Sequence, residues 1–267
     1  MSNDIDGVDF IDYGPYGLFH IRYISADLKD IIRRNLTSIC HGSAHSGSAL
    51  YSYKSTLKSF LERYDKKTDN TKKGMIGEFI SHLMMIESFD NFKISSAFFN
   101  LEEKSIKKGF DLIVYDSRDN SVWITEVKSG NLHKDKSHDE TTKELLNTAK
   151  IDLVGRLNEQ EIQYWINAIN HVRSSVQEAN DYKDALITIL DSNYGSNAAN
   201  GKASSKDKNV ILVSNLFEAL DTKVTINPVE SAYKEITGST LFQKVIVLSV
   251  QKGTYENIVN FLRGEAN

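Results

Sequence analysis

Asp111, Glu126 and Lys128 are the residues of this chain whose types and spacing point most directly to chemistry. Asp111 opens an apolar run, Phe110 to Asp116, and Glu126 and Lys128 close another that begins at Val122. The polar stretch Ser117-Arg118-Asp119-Asn120-Ser121 between them reads as the turn of an antiparallel hairpin. A hairpin of that length brings two such carboxylates to one end of a sheet. Residues two apart on a strand share a face, so Glu126 and Lys128 project together while Val127 packs on the other side. Two carboxylates are hard oxygen ligands that suit Mg²⁺, with the Val127 carbonyl as a further donor. A metal so held polarises a phosphate and activates water, and a neighbouring lysine orients that water or stabilises the developing charge. The chemistry indicated is phosphodiester hydrolysis.

The surrounding pattern supplies elements to position these groups. Residues 17–24 read as a strand, 26–38 as a helix, 40–48 as a loop and 52–64 as a helix of apolar spacing. A charged linker, 65–73, leads to an apolar helix over 74–89 that carries Gly77-Glu78-Phe79. Strands are predicted at 93–99, 110–116 and 122–128. Helical periodicity then runs from 139 to 179 with a break near Gly155, and another helix covers 181–190. The small, polar stretch 192–209 reads as a flexible surface loop. Strands at 210–214 and 244–250 and a helix over 255–263 complete the chain. This order predicts a mixed α/β domain at 71–267, preceded by an N-terminal extension at 1–70.

At 267 residues, 40% apolar and 25% charged, the chain has the composition of an ordinary globular protein. Cys40 is the only cysteine, which points to a reducing compartment. Met1 to Asp12 holds four aspartates and no basic residue, unlike a presequence, and no run of 18 apolar residues exists. A cytoplasmic protein with no membrane partner is expected. The formal charge of −4 provides none of the basic surplus that drives unaided nucleic-acid binding. Contact with DNA therefore has to come from a local patch or from a partner.

The combination of Gly109-Phe110-Asp111 with Glu126-Val127-Lys128 resembles the PD-(D/E)xK nuclease superfamily, Phe110 standing where that signature has proline. Glu78, on the preceding helix, matches the further acidic residue that family members often supply there. The wider layout, including Arg33 and His41-Gly42, resembles the HamA family, effector nucleases of the Hachiman antiphage defence system. The resemblance implies a restriction-endonuclease-like α/β fold and a DNA substrate. It also implies Mg²⁺, with Mn²⁺ as substitute, held by Asp111, Glu126, Glu78 and the Val127 backbone, and a separately encoded helicase, HamB. Glu78, Asp111, Glu126 and Lys128 are the implied catalytic set.

Other readings compete. An isolated Glu-x-Lys is ordinarily an exposed charge pair. The same pattern suits a restriction or repair nuclease with another partner, or an idle nuclease fold that binds DNA or a helicase. Cys40, His41 and His45 lack zinc-site spacing and read as a loop. Gln160 and Tyr164, one helical turn apart, read as a surface residue and a core tyrosine. Residues 54–73 hold seven Lys or Arg against three acidic residues, a solvated basic face with the option of touching phosphates. Met75, Met84, Met85, Phe89 and Trp165 read as core.

Overall fold

The structure, a computed structural model, describes residues 5–45, 49–99, 109–177 and 181–266. The chain runs β1 (Val8–Asp12), β2 (Tyr16–Ile21), α1 (Ala26–His41), α2 (Tyr53–Asp65), α3 (Asp69–Ser88) and β3 (Phe92–Ile94). It continues through β4 (Leu112–Asp116), β5 (Ser121–Asn131), α4 (His138–Asn158), α5 (Ile162–Ser175) and α6 (Tyr182–Thr188). A π-helical turn (Ile189–Gly195) leads into α7 (Ser196–Ala199), then β6 (Asn209–Phe217), α8 (Asn227–Gly238), β7 (Lys244–Lys252) and α9 (Glu256–Ala266).

The strands form one mixed sheet of seven in the order β1-β2-β7-β6-β5-β4-β3. Its centre, β2, β7, β6 and β5, is parallel, and antiparallel pairs close both edges. Parallel strands covered on both faces read as unbroken apolar runs, as Val210–Val213 and Val245–Leu248 do. Helices α1, α2, α3 and α9 cover one face and α4, α5, α6 and α8 the other. The expected α/β architecture, a mixed sheet flanked by helices, is what the chain adopts. No helix among the described residues is long and apolar enough to cross a membrane.

Local departures from the sequence reading have physical causes. The linker expected at 65–73 shrinks to residues 66–68, because α3 starts at Asp69, where the Thr68 side chain caps the Thr71 amide. The helix expected to break near Gly155 continues to Asn158, and the break falls at Glu159–Glu161. The stretch expected as a loop over 192–209 is helical as far as Ala199 and irregular from 200 to 208. Leu190, Tyr194 and Ala198 recur at helical spacing and bury against Trp165, whose ring centroid is 5.2 Å from that of Tyr194. The strand predicted over 93–99 leaves the sheet after Ile94. Phe98 N and Phe99 N instead donate to Ile39 O and Cys40 O (2.9 and 3.0 Å), carbonyls left over at the end of α1. Val8–Asp12, not predicted as a strand, forms β1, and α8 fills a segment that carried no assignment.

Candidate active site

β4 begins at Leu112 opposite Thr125, so from Glu126 onward β5 extends past its hairpin partner and pairs with β6. The amide of Val127 would be orphaned at this notch, and an unpaired backbone donor is costly. Asp111 fills the vacancy, with Oδ2 accepting from Val127 N at 2.8 Å. Strand alternation sends Glu126 and Lys128 to the face covered by α4, while the Val127 side chain is buried on the opposite face.

Glu126 is 1% exposed. Its Oε1 lies 2.8 Å from Lys128 Nζ, and its Oε2 forms an ion pair with Arg156 Nη2 that is not aligned as a hydrogen bond. Burial and the neighbouring Asp111 carboxylate push its pKa up to about 7, against the pull of Arg156 and Lys128. Burial alone would lower the Lys128 ammonium, but Glu126 and Asp152 outweigh it and its pKa lies above the ordinary lysine value. Asp152 Oδ2 holds Lys128 Nζ from the solvent side at 2.7 Å.

Two of these groups, Asp152 and Arg156, were not singled out from the sequence. They lie one turn apart on α4, whose N-terminus carries a capping box of Ser137 and Glu140 that sets its start. Arg156 Nη1 also donates to Gly109 O at 3.1 Å, so one guanidinium ties Glu126 to the segment that presents Asp111. The available signal was an Asp and an Arg four apart beside buried Leu153 and Leu157 on a helix that follows the hairpin.

Glu78 is placed differently. α3 covers the face opposite Glu126, and it passes so close to β5 that a Cβ on Gly77 would lie 1.8 Å from Ser129 Oγ. Glycine at 77 permits that approach. Glu78 is half-buried beside it and lines a cavity of about 490 Å³ that also reaches Asp111. Among the described residues no group of three or more His, Cys, Asp and Glu side chains is gathered closely enough to hold a metal ion. The structure therefore brings Asp111, Glu126 and Lys128 together and sets Glu78 across a shared cavity.

The two adjacent carboxylates nevertheless fit a divalent cation of the Mg²⁺ kind, which commonly takes one or two protein carboxylates and fills its other positions with water and phosphate oxygens. Burial and then the Asp111 carboxylate raise Glu126, and such a cation would relieve the second of these.

The remaining candidates are packing groups. His41 meets Tyr51 edge-on and His45 stacks on it, at ring distances of 4.8 and 4.3 Å, and Cys40 is buried in the last turn of α1. Tyr164 is buried and donates to Glu159 Oε2 at 3.1 Å, while Gln160 Oε1 accepts from Ala203 N at 3.0 Å.

An α/β sheet with an acidic, lysine-bearing notch at the end of a hairpin defines the class to which the chain belongs. A family model for HamA matches residues 7–262, and the chain belongs to the HamA family. Membership implies a role in Hachiman antiphage defence alongside partner proteins of that system. No curated protein matches the sequence at a significant level.

Proposed function

We propose that this protein is a metal-dependent nuclease that hydrolyses DNA phosphodiester bonds, on a restriction-endonuclease-like core at 71–267, and that a helicase partner brings it to its substrate. The observation that carries the reading is the convergence of Asp111, Glu126 and Lys128 at the notch where β5 extends past β4. Asp111, Glu126 and the Val127 carbonyl are the ligands proposed for Mg²⁺ or Mn²⁺, with Glu78 acting across the cavity. When bound, the cation supplies Lewis-acid activation of water and of the scissile phosphate. Lys128, held between Glu126 and Asp152, keeps its proton and presents a fixed positive charge to the negative charge that develops on phosphorus. Arg156 balances the Glu126 carboxylate and fixes the Gly109 carbonyl, which keeps Asp111 at the notch.

The net charge of −4 supports a partner requirement, because weak intrinsic attraction to DNA is offset by tethering to a protein already on it. The ion-paired state of Glu126 also suits a second reading, in which the fold binds DNA or the helicase without catalysis. Plasmid DNA incubated with the chain, with the chain plus the helicase, and with both plus ATP separates the two. Degradation that needs Mg²⁺ or Mn²⁺, stops in EDTA and grows with helicase and ATP is the expected result. Intact plasmid in every Mg²⁺-containing arm would leave only the binding module.

A further inference from the structure

The cavity that joins Glu78 to Asp111 has two further linings. Arg63, Lys66 and Lys67 come from the end of α2 and the turn after it, and both lysines are exposed. Phe98 and Phe110 are half-buried and line the same space. Each ring rests on other aromatics. Phe98 stacks on Phe60 at 5.7 Å, and Phe110 leans on Trp165 at 4.9 Å and Tyr164 at 5.9 Å. The rings are therefore held in place before any ligand arrives.

A cationic rim beside fixed aromatic faces is the arrangement by which proteins hold single-stranded nucleic acid: cations follow the backbone and rings take the unstacked bases. A space of about 490 Å³ is of small-ligand size. It admits a nucleotide turned out of a stack and excludes a duplex, whose bases stay inside the helix. The carboxylates of Glu78 and Asp111 are the repulsive part of the lining, which leaves Lys66 and Lys67 as the phosphate side.

We propose that this cavity receives one unstacked nucleotide of single-stranded DNA, base against Phe98 and Phe110 and phosphate toward Lys66 and Lys67. A single strand or a frayed end, rather than intact duplex, is then the form of DNA that reaches Asp111. The statement about cleavage rests on the nuclease reading; the statement about binding does not.

The experiment is equilibrium binding by the full chain in EDTA at low ionic strength. The probe is a single-stranded DNA oligonucleotide containing 2-aminopurine, compared with the same sequence as a blunt duplex and as RNA. Binding of the single strand at least about 10-fold tighter than the duplex is expected, with fluorescence quenched by stacking. Lys66→Glu combined with Lys67→Glu, both exposed and harmless to the fold, is expected to weaken binding about 10-fold and to flatten its salt dependence. Phe98→Leu is expected to reduce both quenching and affinity on the order of 10-fold. Equal or tighter duplex binding, no detectable single-strand binding, preference for RNA, or an unchanged Lys66/Lys67 double variant each overturns the proposal. Single-strand binding without Mg²⁺-dependent cleavage would retain the cavity assignment and sink the nuclease reading. Cleavage of duplex and single strand at equal rates would do the reverse.

Discussion

The hairpin of β4 and β5 carries a buried carboxylate at each end, and the two behave in opposite ways. Asp116, at the turn, accepts from Arg118 N (2.9 Å), from Arg118 Nη2 (2.8 Å) and from Asn91 Nδ2 (2.9 Å). Burial works to raise its pKa, but those donors outweigh it and hold the group below the ordinary aspartate range. Glu126, at the other end, also meets an arginine, yet its pKa is pushed up to about 7. The difference lies in alignment and in neighbours. Asp116 has four aligned donors, Arg118 Nε being the fourth, and no adjacent acid among those shifting it, whereas the Arg156 contact to Glu126 is unaligned and Asp111 stands beside it. One end of the hairpin is organised for stability, and the other holds charge in tension, as sites of function commonly do.

The comparison breaks most visibly in catalysis. Glu126→Ala or Lys128→Ala is expected to reduce Mg²⁺-dependent DNA cleavage by the helicase-bound protein by about 10²-fold or more. Asp116→Ala, assayed below its melting temperature, is expected to leave the rate unchanged. Plasmid digestion read over time tests both, and a wild-type rate in either Glu126 or Lys128 variant would end the site assignment.

Stability is expected to show the reverse pattern. Asp116→Ala removes the acceptor of four donors and should cost about 1–3 kcal/mol in denaturant unfolding. On the sheet face opposite Glu126, Gly77→Ala should cost a similar amount, about 1–3 kcal/mol, because its new Cβ would overlap Ser129 Oγ. An unchanged midpoint for Gly77→Ala would show that α3 is free to draw back from β5.

The smallest and most discriminating effect is in pH dependence. Asp116 has a lowered folded-state pKa, so its contribution is present above the unfolded value of about 3.9 and is lost as pH falls through the folded value. Glu126 has a raised one, so the folded state holds the extra proton and stability declines as pH rises from about 4.3 toward 7. Asp116→Asn should flatten the acid limb of a stability-against-pH curve, and Glu126→Gln should flatten the decline above it. Slopes that change in the same sense would show that both carboxylates are equally satisfied.

Much of this arrangement was legible in the residues because it depends on local rules. The turn Ser117–Ser121, the alternation that places Glu126 with Lys128 and Val127 opposite, and the apolar runs of the central strands all follow from chain geometry over a few positions. The α/β class follows from the order of those elements. Other features depend on approach between distant segments. That Gly77 is required by Ser129, 52 positions away by number, is decided by how α3 crosses the sheet. That Arg156 reaches both Glu126 and Gly109 is decided by how α4 folds back along β5. A basic run ending near Lys73 reads equally well as a solvated face, and only packing sets Arg63, Lys66 and Lys67 around the same cavity as Asp111. The sequence by itself determined the local elements and the chemistry on offer, because strand alternation and turn residues act over a few bonds. The tertiary structure alone decided which charges share a low-dielectric space and how well they are aligned, and those two quantities separate Glu126 from Asp116.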